Sequence, residues 1–234
     1  MTLPFTIWLT GLPSSGKSTL ARLVEARIRE RGCPVVVLDG DEVRTWLTAG
    51  LGFSREDRDE NIRRIAHLAL FENRSGVATI TAAISPYQAS RDAARRLIGK
   101  FVEVYVDCPL EVCEERDAKG LYKKARRGEI QRFTGVSDPY EPPAAPDVVV
   151  RTDPEDKETC AARIVECVED LGYLPRGLVR WEGLLPAALV QGWEQREISV
   201  VAALIGQRQW SEGAITAGQW KEMEERLRAL GLLR

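Results

Sequence analysis

The sequence predicts an α/β fold, a three-layer sandwich in which helices cover both faces of a parallel central sheet. Three observations lead to this prediction. Short apolar runs rich in β-branched residues recur, each run is continuous rather than alternating, and segments with helical periodicity separate them. Continuous apolar strands are typical of parallel sheets buried on both faces, and the alternation of strand with helix favours the same architecture.

The predicted elements follow in order along the chain. Strands are expected at 5–10, 34–39, 77–84, 101–107 and 147–152. Helices are expected at 17–31, 41–49, 57–74, 88–98, 109–116 and 154–171. The last helix begins at Pro154 and ends at Gly172, with Pro175 beyond it. We therefore expect one domain over residues 1–175.

Residues 176–234 differ in character from this domain. They hold four of the six tryptophans, in two helix-like stretches around 183–209 and 214–230. So many tryptophans and aliphatic side chains argue against disorder, and we expect a small C-terminal helical extension. It carries no catalytic motif. We expect it to pack on the main domain, on another subunit or on a protein partner.

The composition excludes several classes of protein. A net charge of −2 over 234 residues argues against non-specific binding to nucleic acid or to an anionic membrane. No apolar run is long enough to span a membrane, and the first ten residues lack a signal peptide's basic flank, so we expect a cytoplasmic protein. The five cysteines form no C-x-x-C pair and are expected to be reduced and mostly buried. The single histidine, His67, lies in a predicted helix without a partner, so triad and zinc mechanisms are not expected.

A phosphate-binding motif follows the first predicted strand. The segment GLPSSGKST at 11–19 has the spacing G-x-x-x-x-G-K-[ST]. Backbone amides and a helix N-terminus would hold phosphate oxygens there, with Lys17 reaching the β- and γ-phosphates and the Ser18 hydroxyl ligating Mg²⁺. The residues predicted to bind ATP phosphates are Gly11, Leu12, Pro13, Ser14, Ser15, Gly16, Lys17, Ser18 and Thr19. The predicted fold is therefore that of a P-loop NTPase.

The motif alone leaves motors, GTPases, ATPases and small-molecule kinases open. No N-K-x-D sequence for guanine recognition is present, and the third predicted strand ends without an acidic residue. Asp39 and Asp41 follow the second predicted strand, at the edge that faces the phosphate loop. Either carboxylate can support Mg²⁺ or orient an attacking hydroxyl, and the alternative role is a helix N-cap. The nearby phosphate loop favours the functional interpretation.

Five segments resemble the adenylylsulfate kinase (APS kinase) family: LDGDEVR, LGFSREDRDENIRR, AAISPYQASRD, VDCPLEVCEERDAKGLYKKAR and RFTGVSDPYEPP. They occur in the order and spacing of the family, and the likeness as a whole runs from about residue 4 to residue 173. The resemblance implies an enzyme of sulfate activation that uses ATP and Mg²⁺. Its reaction would phosphorylate the 3′-hydroxyl of adenosine 5′-phosphosulfate to give PAPS. A homodimer is also implied.

The resemblance implies a set of substrate-binding residues. They are Asp39, Asp41, Arg44, Arg58, Asn61, Phe71, Ile84, Ser85, Lys119 and Phe133. Guanidinium groups suit a phosphosulfate and an amide suits a ribose. Phe71 and Phe133 would enclose the adenine; helix core is the alternative for Phe71, whereas Phe133 lies amid charge and glycine with little core to join. Ser85 matches a serine sometimes assigned as a phosphorylated intermediate, although direct in-line transfer needs none.

The basic segment 119–143 is predicted to form a lid, the name used below for these residues. Lys119, Arg126 and Arg127 would close over the anionic ligands and exclude water. In the predicted mechanism Lys17 and Ser18-bound Mg²⁺ hold the γ-phosphate. Asp41 orients the hydroxyl or accepts its proton, and Asp39 supports the metal.

Four residues depart from the usual family pattern: Pro13 and Ser14 in the phosphate loop, Ala83 before the I-S-P-Y segment, and Gln88 after it. They leave the exact substrate open. Two alternatives to APS phosphorylation therefore remain at this point. One is a kinase for another small nucleotide-like hydroxyl compound. The other is a non-catalytic nucleotide-binding module that docks a partner through its helical tail.

Overall fold

The computed structural model describes residues 4–117, 119–174 and 176. The predicted C-terminal helical extension lies outside the described residues except for Arg176. Within the described part, five strands form one sheet: β1 (Thr6–Thr10), β2 (Val35–Asp39), β3 (Ala78–Ala82), β4 (Phe101–Asp107) and β5 (Val148–Arg151). Every pairing is parallel, and the strand order is β2-β3-β1-β4-β5. The predicted parallel sheet is confirmed.

Seven helices connect and follow these strands in the described residues: α1 (Lys17–Glu30), α2 (Gly40–Trp46), α3 (Arg55–Arg74), α4 (Gln88–Ile98), α5 (Leu110–Arg116), α6 (Leu121–Arg126) and α7 (Lys157–Asp170). The helix α6 lies inside the lid and was not predicted. The helix α7 begins at Lys157 rather than 154, because the side chain of Asp156 caps it by accepting the backbone N–H of Thr159 at 2.8 Å.

The hydrophobic core lies on both faces of the sheet, and β1 contributes to both. Ile7 and Leu9 pack with α1 and α7, whereas Trp8 faces α3 and α4 and stacks on Phe101 at 5.4 Å between ring centroids. All five residues of β1 are buried. Burying an aliphatic or aromatic side chain of this size stabilises a fold by about 1.5–3 kcal/mol. The loop that follows β1 is therefore attached to a fully buried strand.

The lid builds a separate small core. Its members are Cys108, Cys113, Tyr122, Ala125 and Phe133. The rings of Tyr122 and Phe133 meet edge to face at 4.9 Å, and Phe133 is only 9% exposed. The expectation that Phe133 has little core to join is therefore wrong, because the partner side chains come from β4–α5 and from α6.

The parallel arrangement brings the carboxyl ends of all five strands to one edge of the sheet. Thr10 pairs with Tyr105, and Asp39 pairs with Ala82. The loops after β1, β2 and β3 consequently share one crevice, as expected for open α/β sheets. No helix in the described part of the chain is long and apolar enough to cross a membrane.

Candidate active site

The loop between β1 and α1 has the shape of a phosphate cradle. Gly11 is tightly enclosed: a Cβ there would lie 2.5 Å from the carbonyl oxygen of Val106, so no side chain fits. Ser15 N–H donates to the Leu12 carbonyl at 3.2 Å and closes the turn. Gly16 precedes α1 with a left-handed φ of 97°, a conformation that favours glycine. The two glycines of the motif are therefore required by geometry.

Lys17 lies inside this cradle and is only 8% exposed. Its Nζ donates to the carbonyl oxygens of Gly11 at 3.0 Å and Leu12 at 2.7 Å, and to Ser15 Oγ at 3.3 Å. Burial lowers the pKa of Lys17 to about 8. The ammonium group is thus charged at neutral pH and held where phosphate oxygens would approach it.

The two unusual residues of the cradle have different surroundings. Ser14 is exposed and adopts φ 61°, the left-handed region in which a residue with a Cβ is strained. The Pro13 carbonyl accepts a hydrogen bond from the Tyr122 hydroxyl of the lid at 3.0 Å. The loop therefore keeps its cradle shape at some conformational cost, and it contacts the lid directly.

The two aspartates at the carboxyl end of β2, Asp39 and Asp41, have different contacts in the structure. Asp39 is the N-cap of α2, and its Oδ1 accepts the backbone N–H of Asp41 at 3.0 Å. The carboxylate of Asp41 is 71% exposed and forms an ion pair with Lys119 of the lid. The capping role of Asp39 is thus present in the fold, and Asp41 is the carboxylate that projects into the crevice.

Two arginines surround an aromatic ring that the sequence analysis did not select. Arg44 lies over the ring of Phe53 at 4.6 Å and Arg58 lies 5.6 Å from it, while the ring itself is 51% exposed. Burial lowers the pKa of both guanidinium groups, and the charge of Arg58 lowers that of Arg44 further. Concentrated positive charge beside an open aromatic face suits an anionic, ring-containing ligand.

Arg58 also connects this wall to the lid. It is buried, and its Nε donates to the Phe53 carbonyl at 3.2 Å. The Arg132 carbonyl accepts from its Nη2, and Asp138 lies 3.7 Å from its Nε. Asn61 follows one helical turn later and is 7% exposed, with an Oδ1 that has no hydrogen-bond partner. A buried acceptor without a partner costs about 1–3 kcal/mol, a cost that a donor from a ligand or from water would offset.

The Ser85 hydroxyl does not reach the crevice. It accepts from Trp8 Nε1 at 3.0 Å and donates to the Ala83 carbonyl at 3.4 Å, and Ser85 is 1% exposed. The hypothesis of a phosphorylated Ser85 is therefore not supported, because the hydroxyl is buried and both its hydrogen-bonding roles are taken. The neighbouring Ile84 places its carbonyl against Thr10 at 2.7 Å.

Phe71 lies far from the other predicted substrate residues. It is 67% exposed in the last turn of α3, close to Asn73, whose amide contacts Thr6 at the amino end of β1. Thirteen residues of helix separate it from Arg58, which corresponds to about 20 Å. The structure therefore does not bring Phe71 together with the other predicted substrate residues. Phe53, directly before the Ser54 cap of α3, occupies the required end of this helix.

The lid closes over the phosphate loop through backbone and apolar contacts. A Cβ on Gly135 would lie 3.0 Å from a methyl group of Leu12, so lid and loop touch closely at this point. Arg126 pairs with Glu114, and Arg127 pairs with Glu129, all at the surface. The structure therefore brings Lys119 to Asp41, whereas the partner of Arg126 lies in α5 and the partner of Arg127 lies in the lid itself.

One further arginine near the cradle escaped the sequence analysis. Arg116 donates to the Thr152 carbonyl at 2.6 Å and to Thr152 Oγ1 at 3.2 Å. The same hydroxyl donates to the Ser15 carbonyl at 2.8 Å. Arg116 thus supports the phosphate loop from behind. Its position in an ordinary charged helix gave no signal for this role.

The fold and its cradle define the chain as a P-loop kinase with an α/β sheet. A family model described as adenylylsulphate kinase matches residues 3–151. An adenylyl-sulfate kinase from Rippkaea orientalis is 57% identical over 171 residues, which cover 73% of this chain and 94% of the relative. One from Halothermothrix orenii is 54% identical over 169 residues, covering 72% and 91%. The chain therefore belongs to the adenylylsulfate kinase family.

A solved structure shows the same relationship in three dimensions. The Mycobacterium tuberculosis APS kinase in complex with AMPPNP and APS superposes with a TM-score of 0.70 at 43% identity, covering 72% of this chain and 99% of that one. A hexameric APS kinase from Thiobacillus denitrificans is 32% identical with a TM-score of 0.57, covering 74% of this chain and 30% of that one. The chain is accordingly an enzyme, a kinase that uses ATP as donor.

Proposed function

We propose that this enzyme transfers the γ-phosphoryl group of ATP to the 3′-hydroxyl of adenosine 5′-phosphosulfate, giving PAPS and ADP. One observation carries the proposal. The phosphate cradle and the wall formed by Arg44, Arg58 and Phe53 belong to segments that follow β1 and β2 at the same edge of the sheet. The cradle suits a triphosphate, and the wall suits a second nucleotide that is anionic.

The donor side uses the cradle directly. Its backbone amides and Lys17 would hold the β- and γ-phosphates of ATP. Ser18 and Asp39 offer the hard oxygen ligands that Mg²⁺ prefers, and Asp39 keeps its second carboxylate oxygen free of the capping bond. Mg²⁺ relies on one or two protein oxygens plus phosphates and water, so these two residues would be sufficient. When bound, the ion would neutralise charge on the phosphates.

The acceptor side is built on α2, α3 and the lid. Arg44 and Arg58 would pair with the phosphosulfate, and the free Oδ1 of Asn61 would accept a hydrogen bond from the nucleotide. Phe53 offers one face of the purine a platform, and Phe133 covers it from the lid. Base–aromatic stacking contributes about 1–3 kcal/mol per base. This assignment replaces Phe71 by Phe53.

In the proposed transfer, Asp41 receives the proton of the 3′-hydroxyl as the oxygen attacks the γ-phosphorus. The bond from phosphorus to the β–γ bridging oxygen breaks, and ADP leaves with that electron pair. Lys119 contacts the Asp41 carboxylate and lies beside the reacting groups. Positioning and electrostatic stabilisation supply the catalysis, without a covalent enzyme intermediate.

Coupled measurement of ADP formation by the full-length chain tests the proposal. Adenosine 5′-phosphosulfate should stimulate ADP release, and mass spectrometry should detect a product heavier by one phosphoryl group. Other adenine nucleotides and small hydroxyl compounds serve as competing acceptors, and Lys17→Met serves as the inactive control. Stimulation by a different acceptor, or by none, would reject the proposed substrate.

We further infer a homodimer that works in the cytoplasm, where ATP is available. Light scattering of the full-length chain measures the oligomeric state. A monomer at micromolar concentration would reject the dimer without affecting the proposed reaction.

A further inference from the structure

The return of the lid to the sheet is fixed by a tyrosine hydroxyl. Tyr140 Oη lies 3.0 Å from Thr10 Oγ1, and this oxygen lies 2.7 Å from the carbonyl oxygen of Ile84. A carbonyl can only accept, so Thr10 donates its single hydroxyl hydrogen to Ile84. Tyr140 therefore donates to Thr10.

Thr10 occupies a special place in the chain. It is the last residue of β1, and it precedes Gly11, whose carbonyl oxygen accepts from Lys17 Nζ at 3.0 Å. Ile84 belongs to the loop after β3, on the same edge of the sheet. A single hydroxyl thus joins the lid, the phosphate loop and the loop after β3.

A second bridge holds the next lid residue against the same loop. Arg91 is 1% exposed and donates to the Ser85 carbonyl at 2.7 Å and to the Glu141 carbonyl at 2.8 Å. It also pairs with buried Glu103 at 2.8 Å. Removing one member of a buried ion pair leaves an uncompensated charge, so this bridge is costly to break. The lid is consequently anchored at residues 140–141. The hydrogen bond from Tyr140 to Thr10 fixes the position of this anchored end relative to the last residue of β1.

The Tyr140 ring lines a pocket between the phosphate loop and the lid. It stacks on Tyr105 at 6.2 Å between centroids, and both rings line a cavity of about 520 Å³ together with Leu12 and lid residues 135–139. A tyrosine hydroxyl is protonated at neutral pH and can donate, and burial raises the pKa of Tyr140 further. Loss of the hydrogen bond between Tyr140 and Thr10 would therefore alter the packing of the lid against the phosphate loop.

We propose that Tyr140 is a positioning residue, whose hydrogen bond to Thr10 holds the lid against the phosphate loop so that water is excluded during transfer. The inference rests on the proposed function. Without this hydrogen bond, a water oxygen competes with the acceptor hydroxyl for the γ-phosphorus. That reaction releases ADP and inorganic phosphate, and the water protons pass to the phosphate and the solvent.

Tyr140→Phe removes only the hydroxyl and tests the proposal. Product formation should fall about two- to tenfold, the range expected for one neutral hydrogen bond. The ratio of ADP released to acceptor phosphorylated should rise above one, which a loss of stability alone would not cause. Tyr173→Phe is the matched control, because this ring stacks on Phe5 at the opposite edge of the sheet. It should leave both quantities unchanged.

Variants of Thr10 distinguish the effect of its hydroxyl group from the effect of its side-chain shape. Thr10→Ser keeps the hydroxyl and should retain a ratio near one. Thr10→Val removes it and should reproduce the uncoupling of Tyr140→Phe. Adding Tyr140→Phe to Thr10→Val should have no further effect, since the two residues act through one contact.

A ratio that stays at one in Tyr140→Phe, or an equal rise in Tyr173→Phe, would overturn the inference. If the wild-type enzyme phosphorylates no acceptor, the proposed function fails instead. In that case the hydrogen bond between Tyr140 and Thr10 can still be tested. Amide hydrogen exchange over residues 119–138 is then measured in wild type and in Tyr140→Phe, with ATP as the only ligand. Faster exchange in Tyr140→Phe than in wild type supports the positioning role, and equal exchange overturns it.

Discussion

Lys119 of the lid forms an ion pair with Asp41 across 78 residues of sequence. The two side chains are 61% and 71% exposed. Ion pairs this open contribute about 0–1 kcal/mol, so an incoming hydroxyl can replace the lysine at little cost. The contact places the lid cation and the carboxylate of α2 at one point of the crevice, which is where the proposed transfer requires them.

Replacing Asp41 should stop the reaction without emptying the donor site. In Asp41→Asn, kcat should fall about 10²–10⁴-fold, because a proton acceptor is lost. The Kd for ATP should stay within about twofold of wild type, since the phosphate cradle belongs to another loop. Stopped-flow kinetics and calorimetry measure the two quantities. Glu42→Gln is the matched control, because it removes an equal charge from the same first helical turn. Turnover near wild type in Asp41→Asn would reject the role of Asp41.

The lowered pKa of Lys17 predicts proton uptake when ATP binds at alkaline pH. Burial holds this pKa at about 8, below the usual 10.5, so the charged form is disfavoured in the fold and stability rises between pH 8 and pH 10.5. Phosphate oxygens favour the ammonium and should raise its pKa. At about pH 9, uptake should approach one proton per ATP, and at pH 7 Lys17 should contribute almost none.

Calorimetry in metal-free buffers of different ionisation enthalpy measures this uptake. Lys17→Arg provides the control, because a guanidinium stays charged over this range. Equal uptake in both proteins at pH 9 would assign the proton to another group.

Phe53 and Phe71 give opposite predictions for binding of the sulfonucleotide. Phe53→Ala should raise its Kd about 5- to 150-fold, the range expected for one lost stacking contact. Phe71→Ala removes an equally large exposed ring at the other end of α3 and should change the Kd by less than twofold. Fluorescence or calorimetric titration with adenosine 5′-phosphosulfate measures both. A larger effect from Phe71→Ala would restore the assignment made from sequence.

Ser14→Gly should stabilise the protein. The left-handed φ of 61° strains a serine, and glycine adopts it freely. We expect the free energy of unfolding to rise by up to about 1 kcal/mol. The gain is limited because glycine also gives the unfolded chain more conformational freedom, which favours unfolding. Urea unfolding of the two proteins measures the change. Ser75→Gly, which alters an exposed serine at φ −83°, should destabilise and serves as comparison.

The sheet and the phosphate cradle could be predicted because they depend on local sequence. Each predicted strand agrees with the structure to within two residues at either end, since continuous apolar runs mark buried parallel strands. The cradle follows from the spacing of Gly11, Gly16 and Lys17. Asp41 was proposed for a related reason, because it lies just beyond a strand end, whereas Arg44 and Arg58 were proposed from the family resemblance.

The remaining features depend on contacts between distant segments. Phe133 joins a core only because Tyr122 and Cys113 reach it from other elements. The Ser85 hydroxyl is taken by Trp8, which lies 77 residues away. Phe53 had a local signal, a phenylalanine between Gly52 and the Ser54 cap. Phe71 lies in the last turn of the same helix and is 67% exposed, which the sequence did not indicate.

The central position of β1 has a consequence for the synthesis of this protein. Its neighbours in the sheet are β3 and β4, which end at Ala82 and Asp107. A ribosome adds about 5–20 residues per second, so the newborn first strand waits several seconds before its second neighbour has been made. One edge of β1, next to the glycines that will cradle ATP, must therefore remain unpaired until β4 has been translated.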